Sequence, residues 1–281
     1  MPTTTTTTTA TTTTAAPTTA TTGYAEVNGV RYYYEITGRG TPLLLLHGGL
    51  GTHDMFGPNL LALAQHHRVI AVDLQGHGRT ALGDRPISIE AMGKDMAGVL
   101  AAVGVDKADV VGYSMGAGVA LRLALAKPSV VNRLVLASAP IAQDGFYPEM
   151  LPMQAAVGSG MLEMMKDTPM YRDYVAVAPH PEEFGKLLDA MGGMMREPYD
   201  WRDDVKRLTT PTLLVYGDAD MIRLEHAVEF YKLIGGGQRD AGWMREHMAK
   251  NRLAIIPDVT HYEMGASPKL AQTIEPFLAA R

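Results

Sequence analysis

The chain has 281 residues, a formal net charge of −5, 46% apolar and 20% charged residues, and no Cys. That length can bury enough surface for one large domain or two small ones without a staple, and the mild acidity argues against nucleic acid or an anionic membrane as the main partner. Without Cys, disulfides, Cys-ligated zinc and a thiol nucleophile are excluded, and no apolar run reaches the ~18 residues of a membrane span.

Residues 1–23 open the chain. From Thr3 to Thr22 they are nearly all Thr, with Ala and one Pro. Such a stretch buries too little to offset its ordering entropy, so it is expected to be a disordered tail. It lacks the basic start and apolar segment of a secretory signal, and a cytoplasmic location is expected. Tyr24–Val27, Asn28-Gly29 and Val30–Ile36 then read as a β-hairpin, since Asn-Gly suits a two-residue turn. Tyr32, Tyr34 and Ile36 alternate with Tyr33 and Glu35, the pattern of a half-buried strand.

From there the pattern changes. Leu43–Leu46, Val69–Val72, Asp109–Val111, Leu134–Leu136, Leu213–Val215 and Leu253–Ile256 are short apolar runs. Runs without alternation suit strands covered on both faces, as in a parallel sheet. Ile89–Val103, Met115–Ala126, Leu224–Ile234 and Lys269–Leu278 carry helical patterns between them. This predicts an α/β protein, a mostly parallel sheet with helices on both faces.

The alternation breaks over residues 141–201, which show helical segments and no strand. Nine of the 18 Met lie between Met150 and Met195. This stretch is expected to be a helical cap inserted in one core, residues 24–140 and 202–281. Met suits both a small helical core and an adaptable pocket wall. Gly235–Asn251 is a second long stretch, expected either to fold over the site or to form a contact surface.

Four local patterns carry chemistry. Gly112-Tyr113-Ser114-Met115-Gly116 follows a strand and opens a helix. That is the tight turn which exposes a nucleophilic Ser and leaves room only for small neighbours. A Ser nucleophile needs a base, and the base an orienting acid. Asp220, in Gly217-Asp218-Ala219-Asp220 after a strand, is the first choice of acid, with Asp218 as competitor. His261, after the last strand, is the expected base. His47-Gly48-Gly49-Leu50-Gly51 is the fourth pattern. There the backbone N–H of Gly49 or Leu50, with that of Met115, would form an oxyanion hole. His47 is expected to brace this loop. It is also counted, with Tyr113, Met150, Met153, Met164 and Tyr171, among candidate pocket residues.

With Asp73-Leu74-Gln75-Gly76-His77-Gly78-Arg79-Thr80 added, these motifs resemble the α/β-hydrolase superfamily over Tyr24 to Arg281. Thr260 before the base and Thr80 after the Gly-x-Gly depart mildly from its pattern. The resemblance implies a Ser114-His261-Asp220 hydrolase with an inserted helical cap, no metal and no cofactor. It implies hydrolysis of esters, amides, thioesters or C–C bonds without naming the substrate; the apolar, Met-rich cap favours a small to medium apolar ester, with C–C hydrolysis of ring-fission products or perhydrolysis as alternatives. A hydrolase-like small-molecule receptor is the alternative of another class. The expected partner is a small molecule, with neither nucleic acid nor membrane involved and a homodimer allowed.

Overall fold

The computed structural model describes residues 20–280. The expected tail, apart from its last residues, lies outside them. Eight strands form one sheet: β1 (Thr21–Val27), β2 (Val30–Thr37), β3 (Thr41–Leu46), β4 (His67–Val72), β5 (Ala108–Tyr113), β6 (Val131–Ala137), β7 (Thr212–Ala219) and β8 (Arg252–Thr260). Their spatial order is β1-β2-β4-β3-β5-β6-β7-β8. The β1–β2 and β2–β4 pairs are antiparallel, and all pairs from β4 to β8 are parallel.

The hairpin is present. Val27 pairs with Val30 across Asn28 and Gly29, both at positive φ (50° and 81°), as a type I′ turn demands. β1 starts at Thr21, three residues before the expected Tyr24. The half-buried reading of β2 is corrected, because Tyr33 is buried as well as Tyr32. Tyr32 donates to Asp95 at 2.7 Å, and Tyr33 stacks on His53 at 5.7 Å.

The helices are α1 (Pro58–Leu63), α2 (Ile89–Ala102), α3 (Met115–Ala126), α4 (Met150–Ala155), α5 (Leu162–Met165), α6 (Pro169–Val177), α7 (Phe184–Arg196), α8 (Arg202–Val205), α9 (Leu224–Leu233) and α10 (Pro268–Leu278). The strands feed two cores because successive side chains point to opposite faces. Leu44 and Leu46 join α2, α3, α7 and α9 on one face. Leu43 and Leu45 join α1 and α10 on the other. α4 to α8 lie between β6 and β7 as an inserted helical region, the cap. Trp201 N–H donates to Ile141 O at 2.7 Å, closing the base of the insertion.

The Gly235–Asn251 stretch joins α9 to the start of β8. β7 and β8 run parallel with Leu213 opposite Arg252, so this stretch lies at the N-terminal edge of the sheet. Asp220 and His261 follow the opposite ends of those strands. It therefore does not cover the motif loops.

Candidate active site

Ser114 links β5 to α3 with φ 53° and ψ −117°, backbone that a non-Gly residue rarely adopts. The flanking glycines are required by space. A Cβ at Gly112 would stand 2.3 Å from Gly116 O, and one at Gly116 would stand 2.3 Å from Leu46 O. The turn thus presses β5, α3 and the end of β3 together and leaves Ser114 partly exposed.

His261 follows β8, and its Nε2 lies 3.0 Å from Ser114 Oγ. Its Nδ1 lies 2.8 Å from Asp220 Oδ1. The network assigns Nδ1–H toward Asp220 and an acceptor lone pair on Nε2 toward Ser114 Oγ–H. Asp220, directly after β7, is buried, accepts from Ile222 N–H at 3.2 Å and from Ser138 Oγ–H at 2.5 Å. Burial works to raise the Asp220 pKa. The hydrogen bond and charge of His261, then Ser138 and the Ile222 N–H, hold it below the ordinary carboxylate value. Asp218 is exposed and accepts instead from Asp258 N–H at 2.8 Å.

Across from Ser114 lies the loop after β3. Leu50 is at φ 57°, and Gly51 N–H donates back to Gly48 O at 3.4 Å. Met115 opens α3, where a backbone N–H has no acceptor within its helix. The N–H groups of Gly49, Leu50 and Met115 have no hydrogen-bond partner among the described residues. Met191 of α7 reaches this loop, for a Cβ at Gly49 would stand 2.9 Å from Met191 Cε. Leu187, one turn earlier, comes within 3.1 Å of the corresponding position at Gly76.

The candidate pocket residues occupy quite different places. His47 is fully buried: its Nδ1 bonds Gly48 O at 2.7 Å and its Nε2 accepts from Leu74 N–H at 2.9 Å. These bonds tie the loop after β3 to the residue after Asp73. Tyr113 is buried under Gly48 and Gly265, and its hydroxyl donates to His261 O at 2.5 Å. Met153 and Met164 are 59% and 64% exposed, so they do not form an enclosed wall. Met150 is half-buried on α4, and Tyr171 packs edge-on to Phe184 at 5.2 Å within the cap. Met191, fully buried on α7, is a cap Met that reaches the Gly49 loop, and Met55 Sδ accepts from Gly48 N–H at 3.3 Å on the same loop.

A second buried network supports the same loops. Asp73 Oδ1 lies 2.7 Å from His53 Nδ1 and accepts His53 N–H at 2.9 Å, while its Oδ2 accepts Arg79 N–H at 2.8 Å. Burial acts to raise the Asp73 pKa, yet His53 holds it far below the usual carboxylate range. Burial alone would lower His53, but the Asp73 hydrogen bond and charge raise it. Burial, helped by His47, pushes His77 down to about 3, so it stays neutral.

The model of the alpha/beta hydrolase fold family matches residues 41–169. A carboxylesterase from Bacillus subtilis, CesB, superposes with a TM-score of 0.69 at 19% identity, covering 94% of this chain and 93% of that one. The chain has the α/β-hydrolase fold. Two curated proteins similar in sequence are informative. It is 42% identical over 123 residues to a putative carbamate hydrolase, RutD, of Azorhizobium caulinodans, spanning 44% of this chain and only 46% of that protein. It is 26% identical over 254 residues to a pimeloyl-[acyl-carrier protein] methyl ester esterase of Nitrosospira multiformis, covering 83% of this chain and 92% of that one. Among the described residues, no helix is long and apolar enough to cross a membrane, and no group of three or more His, Cys, Asp or Glu side chains is arranged to hold a metal ion.

Proposed function

We propose that this α/β-hydrolase is a serine carboxylic-ester hydrolase acting on a small to medium, largely apolar ester. The observation that carries the reading is the continuous hydrogen-bonded chain from Asp220 through His261 to Ser114, at 2.8 and 3.0 Å. Next to it stand backbone N–H groups at Gly49, Leu50 and Met115 that have no partner among the described residues. The esterase named among the relatives, over 92% of its length, is consistent with it.

In this mechanism Ser114 Oγ attacks the ester carbonyl carbon while His261 Nε2 takes its proton. Asp220 keeps the other ring nitrogen protonated and stabilises the imidazolium. The N–H of Met115, with that of Gly49 or Leu50, binds the developing oxyanion; one such donor is worth roughly 3–4 kcal/mol. His261 then gives its proton to the leaving alcohol. Water, deprotonated in turn by His261, attacks the acyl-enzyme and releases the acid. No metal or cofactor is needed in this scheme. Leu50, Leu187 and Met191 give the loops around Ser114 an apolar surround, which favours an uncharged acyl group.

Ser114→Ala is expected to lower kcat on p-nitrophenyl esters by ~10³-fold or more with the fold intact. Activity near the wild-type level would sink the mechanism. A wild-type enzyme inert on esters but active on a vinylogous diketone would move the reaction to C–C cleavage. A single slow turnover with a large conformational change would make the protein a receptor.

A further inference from the structure

We propose that Ser138 is a positioning residue for Asp220 and, through it, for His261. The role rests on the ester-hydrolase reading of the same site. Asp220 offers two carboxylate oxygens. Oδ1 already serves His261 Nδ1 at 2.8 Å and Ile222 N–H at 3.2 Å. Oδ2 accepts from Ser138 Oγ at 2.5 Å and from no other group among the described residues. Without that hydroxyl, a fully buried carboxylate oxygen would be left unsatisfied and one restraint on carboxylate rotation would be lost.

The backbone aims the hydroxyl. Ser138 follows the last residue of β6 and is at φ 54°, a left-handed conformation that Ser rarely adopts. Its N–H donates to Val215 O at 2.8 Å, on the strand that ends at Asp220. Tyr216 Oη–H donates to Ala139 O at 2.8 Å, tying the next residue to the same strand. Ser138 itself is completely buried. A strained, buried Ser anchored at both sides and pointed at one acid oxygen sets the plane of the carboxylate. The plane of the His261 ring is set in turn through Nδ1–H.

The test uses the full chain and its Ser138→Ala, Asp220→Asn and doubly substituted forms, each checked for folding by circular dichroism. Ser138→Ala is expected to lower kcat on p-nitrophenyl esters about 10-fold or more, with KM within about 2-fold, because the residue does not touch substrate. In the Asp220→Asn background the same substitution should change kcat by less than about 2-fold, since the group through which it acts is already altered. The acid limb of the kcat/KM profile should move to higher pH in Ser138→Ala, because a carboxylate that loses a donor is more basic. The titratable groups facing Asp220 are His261, Tyr113 and Tyr216, with Tyr262 beside His261. Burial holds the Tyr113 and Tyr216 hydroxyls protonated far above that limb. Should Ser138→Ala misfold, Ser138→Gly accepts the positive φ and is expected to show the same loss. A variant with wild-type kcat and an unmoved limb would overturn the role, as would an equal loss in the Asp220→Asn background. A wild-type protein inert both to ester and to a fluorophosphonate would instead defeat the hydrolase reading, and this role with it.

Discussion

Ser114, Asp220 and His261 were legible as single residues because each has a strong local signal. Gly112 and Gly116 bracket Ser114, a strand precedes Asp220, and His261 follows the last strand. Gly116 has to be Gly because the carbonyls of Leu46 and His47 stand within 2.4 Å of any Cβ there, so the motif is a record of packing. The His47–Gly51 loop was legible from its glycines, whereas the side chains that reach the site from distant elements were not. Ser138 meets Asp220, and Met191 the Gly49 loop, only when distant strands and the cap come together, and no spacing in the chain announces that. Tyr113 illustrates the limit. It sits inside the most recognisable motif, yet its hydroxyl holds the main chain of His261, 148 positions away. Tyr113→Phe removes that buried hydrogen bond and is expected to cost about 1–2 kcal/mol of stability. It should also lower kcat severalfold with little change in KM. Urea melts and ester kinetics on the pure variant check both, and unchanged kcat would show that the His261 main chain needs no such tie.

At the level of elements, the parallel strands were readable from their apolar runs, and α2, α3, α9 and α10 from their periodicity. α1 was missed because its six residues are too short to show a period. The cap was visible as a break in strand–helix alternation, but which of its helices meets the site was not. Its Met residues differ in placement, for Met153 and Met164 are exposed while Met191 is buried close to Gly49. α7 presents Phe184, Leu187, Leu188 and Met191 along one buried stripe, spacings of three and four that keep one helical face toward the core. Met191→Ala should cost about 2 kcal/mol or more, as large-to-small core changes do. It should also open space above the Gly49 loop, so that kcat/KM rises for long-chain esters relative to short ones. A chain-length profile from acetate to octanoate esters reads this directly. An unchanged profile would place the acyl group elsewhere.

Across the whole molecule, the two ends of the sheet differ. Ser114, Asp220 and His261 gather at the C-terminal ends of β5, β7 and β8, where loops can place side chains without disturbing the ladder. At the other end Asp109, near a register shift between β5 and β6, is buried, and among the described residues neither carboxylate oxygen has a partner in good hydrogen-bond geometry, with the Arg133 main chain nearby. Burial raises its pKa, with Arg133 and His67 opposing. A folded pKa above the unfolded one means the folded state binds the proton more tightly. Asp109 therefore lowers stability above its raised folded value, and this penalty fades as pH falls toward the ordinary carboxylate value of 3.8. Asp109→Asn is expected to raise unfolding free energy by about 1 kcal/mol at pH 7 and by much less near pH 4. Urea melts at the two pH values test this, and a variant less stable at pH 7 would mean that the carboxylate has a partner worth keeping.

The proposed function requires Ser114 to be a nucleophile activated by His261 and Asp220. Its most direct test is intact-mass analysis of the full chain after exposure to a fluorophosphonate, with peptide mapping of the adduct. Stoichiometric labelling at Ser114 is expected in the wild type, none in Ser114→Ala, and labelling slowed by at least ~10-fold in Asp220→Asn. A wild-type protein that stays unlabelled while folded, or one labelled at another residue, would contradict it.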